Sequence, residues 1–417
     1  MVDVKPLNAI VYNQEKVNMT DVIAPPYDVI LDDYREELYK RSDYNIVKLI
    51  LAKGSTDTND SDNRYENARK TFAQWLEEKV LIKLDNPTIL YLLQKYKTAN
   101  GKEITRKGFI ARCKIEDFSS KKILPHEYTM GGPKQDRLNL TTACKANFSQ
   151  IFMVYSDKQK QIENAVDYAQ KPFIDVTDDL GVQNIVYKID DEKTLNLISE
   201  VLKDKTLLIA DGHHRYETAM NYRNLHPENE QAKYVMSYFT NMEDDLLIFP
   251  THRIILRKIE GLLDKIKKYF DVKELSSKEE LLKEIEIANT KQISMGLYTG
   301  KYYLLTLREN VDGILEEYKV PKVLRKLDLI VLHKALISKE FGYTDEEQMA
   351  QDGILYIKQE QEAFDMIDKG QAEASFIMAY PKIKDIQEIS QAGERMPQKS
   401  TYFYPKLLSG IVINPLY

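Results

Sequence analysis

Short apolar runs and amphipathic stretches alternate along the chain, and their spacing predicts its strands and helices. Thr206 to Ala210 is an apolar run that stops at Asp211-Gly212, as expected of a buried strand followed by a turn. From His213 onward, apolar residues recur at helical spacing as far as His226-Pro227. The pattern therefore predicts a strand, a glycine-containing turn and a helix in direct succession.

The same rules predict the other elements. Helices are expected over 32–39, 64–79, 159–169, 261–270, 278–288 and 327–339. Strands are expected over 7–12, 42–51, 89–95, 105–115, 148–155, 233–241, 246–249, 295–307 (a strand pair) and 374–379. Asn100-Gly101 is a hairpin signal, whereas the Gly/Pro-rich stretch 124–139 predicts a surface loop. This order of elements indicates an α+β fold with a mixed sheet in its N-terminal part.

The length of the chain and a change in its composition both predict two domains. At 417 residues the chain exceeds what one hydrophobic core usually serves. From about Ile254 the sequence changes to lysine-rich amphipathic helices. We therefore expect a first domain over 1–256 and an α+β second domain over 257–417, whose tail packs back on the first.

Composition narrows the class of protein. The formal net charge is −6, which argues against a general nucleic-acid binder, because neutralising phosphates needs a basic face. Cys113 and Cys144 are too few for a disulfide framework or a four-cysteine zinc site. The chain has neither a signal-like N-terminus nor an apolar run near the roughly 20 residues that span a bilayer. A cytoplasmic protein outside the membrane is expected.

The turn after the 206–210 run is the strongest candidate for a functional site. The start of a helix presents backbone N–H groups and the positive end of its dipole, and Gly212 allows a ligand to approach closely. His213, His214 and Arg215 add donors, so we expect a phosphate or carboxylate to bind here. Asp211 is a candidate base or metal ligand. The alternative is that Asp211 only caps the helix while the histidines satisfy local hydrogen bonds.

Two further stretches carry candidate chemistry. Asp28 follows two prolines that fix its direction, although it could simply cap the next helix. The 124–139 stretch offers His126 and Glu127 as an acid/base pair, and Lys134 and Arg137 as anion donors. The alternative for these four residues is a solvated loop.

The C-terminal half adds cationic and hydroxyl candidates. Arg253 follows the 246–249 strand, and Lys399, Ser400 and Thr401 sit side by side among aromatic residues. We expect the segment 396–406 to return to the central motif and to place these groups near a phosphate. The alternative is that its aromatics only seal an interface.

Several segments together resemble a known family. In chain order they are APPYDVI, HEYT, GPKQDRLNL, NFSQIF, DGHHRYETA, PTHR and MPQKSTYFYPK. They resemble the bacterial and archaeal family called domain of unknown function 1015, over nearly the whole chain. The Asp-Gly-His-His-Arg loop is also similar to that of ParB/sulfiredoxin-like proteins, including free serine kinases. His213 stands where sulfiredoxin has its reactive cysteine, so sulfinic acid repair is not expected.

The loop resemblance implies a nucleotide-dependent phosphotransferase. ADP or ATP with Mg²⁺ would bind at the motif, and a small hydroxyl metabolite such as free serine would accept the phosphoryl group. Asp28, Glu127 and Asp211 are the candidate catalytic acids or bases, together with His126. Which residues would bind the metal ion is left open. A phosphatase acting on phosphoserine and a ParB-like nucleotide-binding regulator are the alternatives, and a homodimer is one expected state.

Overall fold

The computed structural model describes residues 1–98, 101–129, 131–308, 311–397 and 399–417, with the side chains of 131–133 left out. Asn100, half of the expected hairpin turn, lies outside these residues. The chain forms two compact units: unit 1 contains Met1–Leu246 and Pro405–Tyr417, and unit 2 contains Leu247–Tyr404. Arg257, near which a domain boundary is expected, lies inside unit 2.

A mixed sheet forms the centre of unit 1. Its strands lie in the spatial order Ile123–Leu124, Leu207–Asp211, Ile151–Tyr155, Tyr234–Asn241, Glu103–Lys114, Ile89–Lys97, Gln183–Ile189 and Ile174–Thr177, with Val4–Lys5 paired to Glu103–Lys114. The first two strands run parallel, as do Ile151–Tyr155 and Tyr234–Asn241, and the other pairs are antiparallel. The strands are largely apolar on both faces, because helices and loops cover the sheet. The mixed sheet and its helices confirm the α+β prediction.

Helices and short strand pairs complete unit 1. Its helices are Met19–Val22, Tyr27–Val29 (3₁₀), Asp32–Arg41, Val47–Ile50, Arg64–Glu77, Phe118–Ser120 (3₁₀), Gly131–Cys144, Gln161–Ala165, Glu192–Lys203, His213–Leu225 and Glu230–Lys233 (3₁₀). Ile10–Tyr12 pairs with Leu81–Lys83, and Ala146–Asn147 with Asn414–Pro415. The strand Leu207–Asp211 and the helix His213–Leu225, here called the motif strand and the motif helix, confirm the prediction for the central motif.

Tyr216 fixes the motif helix against the sheet. Its ring is fully buried, and its hydroxyl donates to the Glu116 carbonyl at 2.8 Å while accepting from the Glu116 N–H at 2.9 Å. The N-terminal end of the helix is thereby held one turn from a buried anchor.

The last residues of the chain are built into unit 1. Ser409 pairs with Ala24, and Ile413 pairs with Ile10. Apolar side chains of this segment are almost fully buried, namely Leu407, Leu408, Ile411, Val412, Ile413 and Leu416. The segment 405–417, here called the returning tail, is therefore part of the unit 1 core.

Unit 2 has a sheet of its own. The strand order is Phe270–Leu275, Tyr302–Leu307, Ser294–Tyr298, Ala374–Ile377, His252–Ile255 and Ile354–Ile357, and Leu247–Phe249 pairs separately with Tyr402–Tyr404. Its helices are Leu262–Ile266, Lys278–Ala288, Asp312–Glu317, Lys322–Leu324 (3₁₀), Asp328–Val331, Leu332–Glu340 (π), Asp345–Ala350, Glu360–Asp368 and Ile383–Gln391. The helix Lys278–Ala288 and the strand pair near residue 300 confirm the predictions for this region.

Two local predictions are wrong. The run 42–51 contains a short helix, Val47–Ile50, instead of a strand, because the Asn45 side chain accepts from the Val47 N–H at 2.9 Å and starts a helical turn. Residues Gly131–Cys144 form a helix instead of a surface loop. Leu140 and Cys144 are buried one turn apart, a helical spacing that the polar composition of this stretch conceals.

Candidate functional site

The motif strand passes into the motif helix through a glycine with positive φ. Gly212 is the N-cap and has φ of 92°, in the left-handed region that favours glycine. A Cβ added here would lie 3.0 Å from the guanidinium of Arg215, which packs beneath the turn. Since glycine has no side chain, none at the N-cap accepts from the first N–H groups of the motif helix, the kind of group that binds anions at helix starts.

Asp211 is held between two cations. Arg215 donates from Nη2 to Oδ2 at 2.6 Å, and Lys406 of the returning tail donates to Oδ1. Burial alone would raise the pKa of Asp211, but the charges of Lys406 and Arg215 hold it well below its usual range. Arg215 also donates to the Gln150 carbonyl. The side chain of Asp211 is therefore a fixed anion that positions two cations.

His126 and His213 form a second pair beside the turn. Their rings meet edge to face with centroids 4.6 Å apart. The backbone N–H of His126 donates to Nε2 of His213 at 3.2 Å. Nδ1 of His126 lies 2.6 Å from the Ile209 carbonyl, so Nδ1 carries a proton and donates to it. The other ring nitrogen of His126 lies 3.7 Å from Oε1 of Glu127. The predicted His126–Glu127 pair is thus close in space and fixed to the motif strand.

Lys134 reaches the first turn of the motif helix. It donates to Oε2 of Glu217 at 2.8 Å and to the hydroxyl of Thr129 at 3.1 Å, and that hydroxyl donates to the same carboxylate oxygen at 2.7 Å. Burial is the main cause that lowers the pKa of His214, whereas the charge of Glu217 opposes the shift. A cation, a carboxylate and an imidazole therefore share the mouth of the turn.

Asp28 is brought to the same place by the turn Tyr27–Val29. Its carboxylate is exposed and acts electrostatically on His214. The Tyr27 ring lies under Arg137, whose guanidinium carbon is 4.1 Å from the ring centroid. Arg137 in turn donates to Asp136 at 2.7 Å and to the Ile50 carbonyl at 2.8 Å. Arg137 thus anchors the Asp28 turn, and with Tyr27 and Arg215 it lines a cavity of about 50 Å³.

The remaining predicted residues belong to unit 2. Arg253 is fully buried, Lys399 is exposed with φ of 54°, and Thr401 is half-buried. Ser400 is buried and donates to the Pro397 carbonyl. Arg253 and Ser400 line one cavity of unit 2. The expectation that all four serve the motif stays a prediction.

Sequence reasoning did not single out Glu217 or Asp136. Glu217 stands one turn after His213 on the motif helix, a spacing that could have shown it beside the site. Asp136 directly precedes Arg137 in the sequence and donors of that arginine reach its carboxylate. Lys406 ends the segment 396–406 that the sequence predicts at the motif, but only the fold shows that it pairs with Asp211.

The described residues contain neither a cluster of metal ligands nor a helix that could cross a membrane. Among the described residues, no group of three or more histidine, cysteine, aspartate or glutamate side chains is arranged to hold a metal ion. Asp28 and Glu217 could each supply one carboxylate oxygen to a Mg²⁺ ion that phosphates and water otherwise surround. In the described chain, each helix is too short or too polar to cross a bilayer.

Comparisons with solved structures returned proteins of low sequence identity. A free serine kinase in complex with AMP is 16% identical, with a TM-score of 0.35, over 68% of this chain and 83% of that chain. A free serine kinase in complex with ADP is 17% identical, with a TM-score of 0.35, over 68% and 84%. SbnI with C-terminal truncation from Staphylococcus aureus is 9% identical, with a TM-score of 0.36, over 74% and 87%.

Comparisons of the sequence gave one assignment. No curated protein sequence matches the chain. The family model described as "Protein of unknown function (DUF1015)" matches residues 4–330, which is well over half of the chain. The protein therefore belongs to the DUF1015 family.

Proposed function

We propose that unit 1 binds the phosphates of ADP or ATP at Gly212–Arg215 and transfers a phosphoryl group to a small hydroxyl metabolite such as free serine. One observation carries the proposal: the uncapped start of the motif helix shares its mouth with Lys134, His214 and Asp28. Phosphoryl transfer needs positioned donors and a base more than covalent participation by the protein. The choice of serine follows the loop resemblance described above.

The hydrogen bonds and ion pairs of the acidic residues indicate which of them could act as the general base. Asp211 is a poor base because its two cation partners depress its pKa. Glu217 accepts from Lys134 and Thr129 and so orients the lysine. Asp28 is exposed, and no ion pair holds it within the part of the chain that the structure describes. We assign the base to Asp28, with Glu127 as the second choice.

In the proposed step, one bond to phosphorus forms and one breaks. The hydroxyl oxygen of the acceptor forms a bond to the terminal phosphorus of the nucleotide, and the bond from that phosphorus to the bridging oxygen breaks. The hydroxyl proton passes to the Asp28 carboxylate, and the bridging oxygen leaves with AMP or ADP. A Mg²⁺ ion, when bound, would neutralise charge on the phosphates. Lys134, His214 and the first N–H groups of the motif helix would hold the transferred group.

The test is an assay of the full chain with ADP or ATP, Mg²⁺ and serine, followed by ³¹P NMR. Phosphoserine is expected, and Asp28→Asn should lower its rate by roughly 10²- to 10⁴-fold. Glu127→Gln tests the second choice. Lys134→Met should weaken ADP binding. Its control is Lys193→Met, which changes an exposed lysine of the helix Glu192–Lys203. Hydrolysis of phosphoserine without nucleotide would indicate a phosphatase, and nucleotide binding without turnover a regulator. The proposal is overturned if the protein shows no nucleotide binding and no turnover.

A further inference from the structure

Unit 2 contains a larger cavity, of about 270 Å³, that the proposed function does not use. This volume is close to the lower end for small-molecule sites. Its apolar wall is formed by side chains that include Leu327, Leu329, Met378, Ile386 and Met396. Its polar lining includes Thr251, Arg253 and Asp328.

Arg253 is a buried cation without a carboxylate partner among the described residues. It is 1% exposed, and the groups in contact with its guanidinium are neutral. Nε donates to His333 at 3.0 Å and Nη1 donates to the Thr251 carbonyl. The guanidinium carbon lies 4.6 Å from the centroid of the Tyr356 ring. Nη2 donates to no described residue. A buried charge left unpaired is costly, so a guanidinium in this state is suited to an anion supplied from outside.

The orientation of Arg253 is fixed from behind. Nδ1 of His333 lies 2.6 Å from Oε1 of Gln348, so Nδ1 is the protonated nitrogen and Nε2 accepts from Arg253. Gln348 is itself held by a hydrogen bond of 3.0 Å to Ser338. The unpaired end of the guanidinium is therefore presented to the cavity in one direction.

Asp328 is the complementary anion. Its carboxylate accepts from the Leu329 N–H at 2.6 Å and from the Ala379 N–H at 3.3 Å, and no cation of the described chain lies within ion-pair distance. Burial raises its pKa to about 6, whereas the charges of Arg253 and Lys382 lower it. The other lining charges lie on exposed lysines or are paired: Lys326 pairs with Asp385 at 2.8 Å, Lys382 donates to the Asn289 carbonyl at 3.2 Å, and Lys291 is exposed.

One cavity thus holds an unpaired cation and an unpaired anion that do not pair with each other. A bare anion would meet Arg253 but also the negative charge of Asp328, and a bare cation would have the reverse problem. A ligand with both charges satisfies both groups. Thr251, whose buried hydroxyl oxygen has no hydrogen-bond partner in the described structure, adds a polar group on the Arg253 side.

We propose that this cavity binds a free amino acid with an apolar side chain, with its carboxylate at Arg253 and its ammonium group at Asp328. The methionine and leucine wall receives the side chain, because flexible thioethers fill around apolar groups of varied shape. The site lies wholly within unit 2 and goes beyond the proposed function, since it requires neither nucleotide nor turnover.

Calorimetry on the full chain without nucleotide tests the site, with L-leucine and L-methionine as probes. At least one should bind, and 4-methylpentanoate and 3-methylbutylamine, which each lack one charge of leucine, should bind at least tenfold more weakly. Asp328→Asn should weaken amino-acid binding at least tenfold without weakening 4-methylpentanoate. Arg253→Gln should weaken both.

The exposed ion pair between Arg308 and Asp271 of unit 2 supplies matched controls, Arg308→Gln and Asp271→Asn, which should leave binding unchanged. If Arg253→Gln fails to fold, the near-isosteric Asp328→Asn still decides the matter. The proposal is overturned if neither amino acid binds at millimolar concentration, if 4-methylpentanoate binds as tightly as leucine, or if Asp328→Asn has no more effect than Asp271→Asn. Tighter binding of serine than of leucine would overturn the apolar class.

Discussion

At the scale of single residues, Asp211 shows how one carboxylate can position two cations from different parts of the chain. Its two oxygens take Arg215 from the motif helix and Lys406 from the returning tail. All three side chains are at most 20% exposed, so solvent does little to screen these charges. Removal of the carboxylate would leave two nearby cations with much weaker compensation.

We predict that Asp211→Asn lowers the free energy of unfolding of unit 1 by about 3–5 kcal/mol, because it breaks a buried ion pair on one side only. Denaturation followed by the fluorescence of Trp75 measures this, since the chain has one tryptophan and it is buried in unit 1. Asp117→Asn is the control, because Asp117 pairs with Arg223 but is 63% exposed. Equal effects of the two substitutions would contradict the prediction.

Histidines of unit 2 carry a pH effect at the same scale. Burial lowers the pKa of His252 to about 4 and that of His333 to about 3. Both are neutral in the folded state, whereas the unfolded chain takes up their protons below about pH 6.5. Their contribution to stability is therefore complete above pH 6.5 and is lost as the pH falls toward 4, while the raised pKa of Asp328 acts in the opposite direction between about pH 6 and 4.

We predict that His333→Gln reduces this acid sensitivity. Between pH 6 and 4.5 the free energy of unfolding of the wild type should fall more steeply than that of the variant, by about 1.4 kcal/mol per pH unit for the one proton removed. Denaturant titrations at several pH values, followed by near-ultraviolet circular dichroism of the tyrosines, give the two slopes. Identical slopes would show that His333 is already protonated in the folded protein.

At the scale of elements, the junction between motif strand and motif helix could be predicted closely from the sequence. The signals are local: a short apolar run, the dipeptide Asp-Gly and a helical repeat. The structure has the corresponding strand, turn and helix. The helix Gly131–Cys144 could not be predicted, because its polar composition hides the buried Leu140 and Cys144. Its packing against other elements, not its own propensity, decides its structure.

We predict that Gly212→Ala costs unit 1 about 1–3 kcal/mol and weakens ADP binding. The new Cβ would require a strained φ and would meet a guanidinium that Asp211 and Gln150 prevent from moving. Gly181→Ala is the matched control, because Gly181 also has positive φ, at 77°, but has open space around the position of a Cβ. Trp75 fluorescence and ADP calorimetry measure both effects. A smaller loss for Gly212→Ala than for Gly181→Ala would refute the role of the contact.

At the scale of the whole molecule, the sequence predicts two folded parts and a tail that returns to the first, but it does not reveal which backbone pairs the tail forms. The contribution of the returning tail to unit 1 depends on backbone pairing with Ile10 and Ala24, hundreds of residues earlier, which no local pattern encodes. Lys406 belongs to the segment predicted at the motif, but its pairing with Asp211 is visible only in the fold. Asp28, Lys134 and the motif stand out in the sequence as candidates because each lies in a Gly- or Pro-marked segment. Long-range pairing is the information that a single sequence lacks.

We predict that deletion of residues 405–417 prevents stable folding of unit 1. The buried Leu, Ile and Val side chains of this segment together contribute more than the usual net stability of a domain, at roughly 1.5–3 kcal/mol each. Trp75 fluorescence should then report a solvent-exposed indole. Tyr417→Ala, at a residue that is 64% exposed, is the control and should leave the emission unchanged. A native spectrum for the deletion would contradict the prediction.

The split of unit 1 between 1–246 and 405–417 also sets an order of events during synthesis. As the ribosome extends the nascent chain, the strands of the first segment emerge before the whole of unit 2 has been made. Domains generally fold as units while they emerge, but unit 1 cannot be completed until Lys406 and the strand Asn414–Pro415 have followed unit 2 out of the ribosome. Asp211 consequently acquires its second cation only after residues 247–404 have been synthesised, and a translation product that stalls within unit 2 would lack this cation.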